Sequence, residues 1–409
     1  MSTLAVFGGP KAKTIPFGTG KRFGVEEAVE LMEALDQQTL FYHSGKKVKQ
    51  FLADFGAMYG VPHTVAASSG TAAIHIALGA AGVSVGDEVI TSPITDMGSL
   101  VGILYQNALP VFADLDPHTY NLTADSVRAR ITDRTKAILV VHLAGNATDM
   151  DSIMEVAKEH NLKVIEDCAQ SYLCRYKGRL VGTIGDYGCF STNDFKHIST
   201  GDGGVVTVNS GDEQDYRRTH MFADKNYNRF GEDIRGSIPY LAPNYRMTEL
   251  QGAVGIAQLQ KLPSICERRQ AVGDGISAGL QGIRGLHTHR VLDGCDCTYW
   301  FYMLRLDEAA FGCSREAFSE ALKAEGVSNQ PGYIPSVVYL YRIFQEEEAY
   351  LGSRFPFDLG KVDYAPGLCP NAEAILETAI RIPVSEFYSD QDVREIVEAV
   401  QKIAAHYQS

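Results

Sequence analysis

The chain has 409 residues, is 45% hydrophobic and 21% charged, and carries a formal net charge of -13. These proportions exclude a disordered polar chain and suit a globular enzyme of two domains, one larger than the other. The acidic balance, without basic blocks, argues against nucleic acid as a partner, and no run approaches the roughly 18 apolar residues of a membrane span.

In chain order, Met1 to Pro10 has neither a basic start nor a long apolar run, so no signal peptide is expected. From about residue 64 to 208, helical patterns alternate with short β-branched runs. Residues 87–92, 109–113, 136–141 and 163–167 read as buried strands, and residues 151–160 as a helix with an apolar stripe of Ile153, Met154, Val156 and Ala157. This alternation predicts an α/β fold with a mostly parallel central sheet sandwiched by helices, whose ligands bind at the carboxyl ends of the strands. A further strand is expected at 203–208, then a polar loop over roughly 210–245, then a long helix through Leu250, Val254 and Ala257 that continues past Pro263. Residues 1–280 are assigned to an N-terminal segment and large domain, and 281–409 to a smaller C-terminal α/β domain with a strand at 299–306 and a last helix at 390–407. Trp300 is expected in the small domain's core.

The eight cysteines are scattered, which suits reduced thiols and a cytoplasmic location better than a disulfide scaffold. His287, His289, Cys295 and Cys297 match a zinc set in number only. Two alternating strand segments would turn them to different sides, and no metal is expected.

Three short stretches carry chemistry. Ser68-Ser69-Gly70-Thr71-Ala72-Ala73 stands before an alanine-rich helix, where free backbone N–H groups and the helix dipole suit a phosphate; a plain Ser/Thr N-cap is the alternative. Asp167 ends an apolar strand, so it either meets a cationic or protonated ring nitrogen or caps the next element. Lys196 precedes the glycine-rich turn Thr200-Gly201-Asp202-Gly203-Gly204 and is either a desolvated amine for Schiff-base chemistry or an ordinary surface lysine. Taken together, a phosphate socket, a strand-end carboxylate and a loop amine are what pyridoxal 5′-phosphate requires.

At these residues the chain resembles the DegT–StrS family, the fold-type I pyridoxal-phosphate aminotransferases of sugars and aminocyclitols. The matching stretches include Ser69 to Ala73, Gly86 to Ile90, Pro110 to Asp114, Val164 to Gln170, Phe190-Ser191 through Lys196, Thr200 to Gly204 and Asn244-Tyr245-Arg246-Met247. The resemblance implies that Lys196 forms the internal aldimine and shuttles a proton, and that Asp167 pairs with the pyridine nitrogen. It implies that Gln170 contacts the ring hydroxyl, Ala169 packs on the ring, and Gly70, Thr71, Ala72 and Ser191 hold the phosphate. Asn244 would reach the neighbouring subunit's cofactor, giving a homodimer with shared active sites. The chain departs from the family where an aromatic residue stacks on the ring, for Asp96 stands there. Either Met97 covers the ring with its thioether, or Asp96 touches cofactor or substrate, or Asp96 caps the following helix. Tyr42, His43 and Tyr333 are expected near the substrate, and Arg229, Arg235 or Arg246 near the donor's carboxylate or in structural ion pairs. The implied activity moves an amino group from glutamate or glutamine to a keto sugar or keto-cyclitol, in aminosugar, aminocyclitol or natural-product biosynthesis. The alternatives are a pyridoxal-phosphate sugar dehydratase or a cofactor-binding regulator without turnover.

Overall fold

The β-branched runs of the first half of the chain pair into one seven-stranded sheet in the computed structural model, which describes residues 3–231 and 238–408. The strands in chain order are β1 (His63–Ala67), β2 (Glu88–Thr91), β3 (Leu109–Phe112), β4 (Thr135–Val141) and β5 (Lys163–Asp167), then a separate ribbon of β6 (Arg175–Tyr176) and β7 (Arg179–Leu180), then β8 (Tyr187–Ser191) and β9 (Gly204–Val208). Across the sheet the order is β1-β9-β8-β5-β4-β2-β3; all neighbours from β8 to β3 are parallel, and β9 alone runs against both of its neighbours. Every residue of β2, β3, β8 and β9 is buried, as a sheet covered on both faces requires.

The covering helices are α1 (Val25–Asp36), α2 (Lys47–Tyr59), α3 (Gly70–Ala80), α4 (Gly98–Tyr105), α5 (Ala124–Arg128), α6 (Met150–Glu159), α7 (Glu213–Ala223) and α8 (Glu249–Leu280). The stretch expected as a loop over 210–245 therefore contains a helix. Asp212 caps it by accepting the Gln214 N–H, and only Asp215, Thr219, Phe222 and Ala223 are buried, so its charged outer faces masked the inward stripe. The long helix α8 opens on a Thr248/Gln251 capping box and carries Pro263 within it. Its first half packs Ile256, Leu259 and Leu262 into the large core. Its second half sends Val272, Ile276 and Leu280 into another core, which Leu4 also joins.

That second core lies on an antiparallel sheet of β10 (Leu286–His287), β11 (Phe301–Leu306), β12 (Gln330–Pro331) and β13 (Ala379–Pro383), in the order β10-β11-β13-β12. The C-terminal helix Asp390–Tyr407 covers it with Ile396, Val400 and Ile403. The architecture is that of a fold-type I transferase. No helix among the described residues is long and apolar enough to cross a membrane.

His142, Glu166 and Cys168 bring ligand-type atoms together in the interior, but those of His142 and Glu166 are already engaged. His142 Nδ1 accepts the Thr148 N–H, so Nε2–H donates to Glu166 at 3.0 Å. The Glu166 carboxylate also accepts the amides of Gly182, Ile184 and Gly185. This network braces the carboxyl end of β5 from the face opposite Asp167.

Candidate active site

Asp167 closes β5 in the interior. Ser99, in the first turn of α4, donates its hydroxyl to Asp167 Oδ2 at 2.7 Å, and the Ala169 N–H reaches Oδ1 at 3.1 Å. With its one hydrogen committed there, Ser99 accepts from the Thr95 hydroxyl at 2.6 Å. Burial raises the Asp167 carboxyl above its ordinary range, opposed by the Ser99 and Ala169 hydrogen bonds and by the Lys196 charge.

Beside this carboxylate, α3 begins. Ser69 is its N-cap, accepting the Ala72 N–H at 3.0 Å, which leaves the Gly70 and Thr71 amides without an intrahelical acceptor. A Cβ on Gly70 would stand 2.5 Å from Ser191 Cβ, so glycine is what lets this helix start approach the end of β8. The Ser191 hydroxyl accepts the Asn193 N–H at 3.3 Å and, among the described residues, donates its own hydrogen to none.

Lys196 sits on a loop clamped from several sides. Arg22 donates to the carbonyls of Asp194 and Lys196 and, at 3.3 Å, to that of His197. Trp300 Nε1 donates to the Phe195 carbonyl at 2.7 Å, and His197 Nε2 to the Thr298 carbonyl at 3.0 Å. Burial holds the His197 imidazole neutral. The Lys196 Nζ lies 3.9 Å from the Trp300 ring centroid. Burial lowers the pKa of this amine, and the charges of Asp167 and Asp96 only partly offset it.

Gly70, Thr71, Asp96, Asp167, Ala169, Gln170, Ser191 and Lys196 all line one cavity of about 870 Å³. The Gln170 amide is oriented by the Ala144 N–H, which donates to Oε1 at 2.8 Å, and Nε2 faces the Tyr333 hydroxyl at 3.3 Å. Tyr333 thus stands behind Gln170, packed on Phe301 and Trp300.

The structure places the remaining expected residues as follows. Ala72 is buried off the wall and its amide is taken by Ser69. Met97 packs against the large core rather than over the cavity, because it is the residue from which the apolar helix α4 departs. Asp96 does two things, accepting the Gly98 N–H at 2.8 Å and facing the cavity. Trp300 belongs to the cavity wall and not to the second core. Tyr42, Arg229 and Arg246 gather on the buried Asp224, at 2.7, 2.7 and 3.1 Å, away from the cavity of their own chain. Burial would raise that carboxyl, and the Arg229 and Tyr42 hydrogen bonds hold it low instead. His43 packs on Phe41 and Tyr42, and Asn244 bridges to Asp224 in the same region. Arg235 lies outside the described residues. Ser99, Arg22 and Arg381 line the cavity without any local signal that marked them beforehand.

The sequence profile of the DegT/DnrJ/EryC1/StrS aminotransferase family matches residues 22–401. The chain belongs to that family. GDP-perosamine synthase of Caulobacter vibrioides is 37% identical over 307 residues, covering 75% of this chain and 81% of that protein. The L-glutamine:2-deoxy-scyllo-inosose aminotransferase of Streptoalloteichus tenebrarius is 33% identical over 374 residues, covering 88% and 86%. An aminotransferase from Psychrobacter cryohalolentis, known from X-ray work, superposes with a TM-score of 0.86 at 30% identity over 96% of this chain and 100% of its own.

This aminotransferase uses pyridoxal 5′-phosphate, and its cavity suits that group on its own chemistry. A buried carboxylate held by two hydrogen bonds but by no ion pair among the described residues fits a ring N–H⁺. An amine with a lowered pKa in the same cavity suits attack on an aldehyde, and the start of α3 suits a phosphate.

Proposed function

We propose that this enzyme carries an amino group from glutamate or glutamine to a keto sugar or keto-cyclitol, as a cytoplasmic homodimer. The observation that carries the reading is the convergence of Lys196, Asp167 and the start of α3 on one cavity, in a chain of this family. When bound, pyridoxal 5′-phosphate supplies an aldehyde that takes up the amine and a ring that withdraws electrons.

The rest is done by the chain. Gly70 and Thr71 amides and the Ser191 hydroxyl bind the phosphate at the positive end of α3. Asp167, whose ionised form the Ser99 and Ala169 hydrogen bonds favour, would hold a proton on the ring nitrogen. Gln170 offers Nε2–H to the ring hydroxyl, while Ala169 packs beside it. Lys196 Nζ, whose hold on a proton is weakened by burial, would take the proton from the donor's α-carbon and deliver it to the cofactor carbon that carried the aldehyde, and the Arg22, His197 and Trp300 contacts keep that nitrogen on one trajectory.

About 870 Å³ is room for a cofactor together with a polyhydroxylated acceptor. The relatives' names span a GDP-linked sugar and a free inosose, and both acceptor types belong in the test. The dimer is supported by an exposed apolar row on α1, Val25, Val29, Met32 and Leu35, spaced for one helix face. It is supported too by Asn244, Tyr42, His43 and Arg229, which lie together outside their own chain's cavity, where a second copy would receive them. Free cysteines throughout the described residues suit a reducing compartment.

The test is to follow the visible cofactor band. Glutamate or glutamine should bleach it, and a keto-cyclitol or a nucleotide-linked keto sugar should restore it. Failure of every amino donor to bleach the band would refute the reading.

A further inference from the structure

Three arginines line the cavity, and two of them are committed. Arg22 donates to the carbonyls of the lysine loop. Arg269 holds Glu386 at 2.7 Å, and its other nitrogens donate to the carbonyls of Tyr299 and Trp300. Arg381 is different. Among the described residues its guanidinium meets no carboxylate and no hydrogen-bond acceptor, and its Nε is buried without a partner. Its guanidinium carbon lies over the face of Phe301, at 5.2 Å from the ring centroid.

The position is rigid. Arg381 lies within β13, paired with Met303 of β11 on one side and Gln330 of β12 on the other. A guanidinium cannot neutralise itself by losing a proton, so a half-buried one without a counter-ion is a standing cost. Burial indeed disfavours its charged form, and the neighbouring Tyr333 offsets this in part. A ligand oxyanion would remove the cost. An aromatic wall connects this charge to the reacting amine: Lys196 Nζ lies 3.9 Å from Trp300, Trp300 5.9 Å from Tyr333, Tyr333 4.7 Å from Phe301, and Phe301 5.2 Å from Arg381.

We propose that Arg381 binds a carboxylate of the amino-acid donor, an inference that rests on the aminotransferase reading above. A keto sugar or keto-cyclitol presents hydroxyls, whereas every α-amino acid donor brings a carboxylate on the carbon that bears the reacting amine. The planar fork of arginine matches that group with two parallel hydrogen bonds. Arg229 and Arg246 are unsuited to the task within their own chain, because both are already engaged by Asp224.

The test compares the holoenzyme with Arg381→Gln and Arg381→Lys. In the donor half-reaction, Arg381→Gln is expected to raise KM for glutamate on the order of 100-fold with a much smaller change in kcat, and Arg381→Lys to recover part of the loss. The acceptor half-reaction, started from enzyme loaded with the amine form of the cofactor, should keep its wild-type KM. Calorimetric titration with glutarate, a dicarboxylate with no amine, should show binding to the wild type and none to Arg381→Gln. Neither variant should melt below the wild-type temperature, since no side-chain hydrogen bond of Arg381 is lost; if Arg381→Gln does not fold, Arg381→Lys carries the comparison. An unchanged donor KM with unchanged glutarate binding overturns the proposal. A KM rise confined to a nucleotide-linked acceptor also overturns it, assigning Arg381 to that substrate's phosphate. If the wild type bleaches with no donor, the proposed function fails, and glutarate binding still decides the role of Arg381.

Discussion

Replacing Ser99 with alanine removes a single hydroxyl, and the effect should be felt at the cofactor's ring. That hydroxyl donates to Asp167 Oδ2 at 2.7 Å with both groups buried. A hydrogen bond to a charged group of this kind contributes about 1.5–3 kcal/mol. Its sign is set by the proton balance. The Ser99 bond favours the carboxylate and so lowers the pKa of Asp167, against the burial that raises it. Its loss therefore raises that pKa further. Less Asp167 is then ionised near neutrality, and the deficit grows as the pH falls. Thr95, which donated to Ser99 at 2.6 Å, loses its acceptor as well. The assay is cofactor titration of the apo-protein across pH, alongside the donor half-reaction. Ser99→Ala should bind pyridoxal 5′-phosphate roughly 10- to 100-fold more weakly near pH 7, with a gap that widens toward lower pH. Equal affinity for wild type and variant at every pH, with equal turnover, would mean that the Thr95–Ser99–Asp167 chain does not hold the ring.

Three further outcomes are expected. Lys196 has a lowered pKa and Asp167 acts to raise it, so cofactor uptake should rise with pH around a midpoint below the roughly 10.4 of a free lysine, and Asp167→Asn should move that midpoint lower; an upward move would contradict the assignment. Trp300 is the one tryptophan of the chain and lies 3.9 Å from the Lys196 amine, so loading the cofactor should quench most of the protein's tryptophan emission, and undiminished emission would place the cofactor elsewhere. Gly70→Ala puts a methyl 2.5 Å from Ser191 Cβ, which should cost about 1–3 kcal/mol in stability and weaken cofactor binding at its phosphate; an unchanged melting temperature and affinity would show that α3 gives way freely.

Several elements were legible in the sequence because their cause is local. β2 to β5 read as strands since a parallel sheet buried on both faces demands unbroken apolar runs. Asp167 and Lys196 stood out because one ends an apolar strand and the other precedes a glycine-rich turn, whereas Ser191 was implied only by the family resemblance. The helix α7 escaped notice because few of its residues face inward, and no average over its charged sequence reveals them.

Which charges are spent and which are free was decided by the tertiary structure. Arg22 reaches Lys196 across 174 residues, and Trp300 reaches Phe195 across 105. Arg229 and Arg246 were singled out in the sequence and Arg381 was not, yet Asp224 took both of them and the second sheet left Arg381 lining the cavity without an acceptor among the described residues. Periodicity records how often a segment turns toward a core, and the chain carries that record within each element. The state of a titratable group depends on how much water it loses and which opposite charge stands beside it, and both are set by segments far apart in the chain.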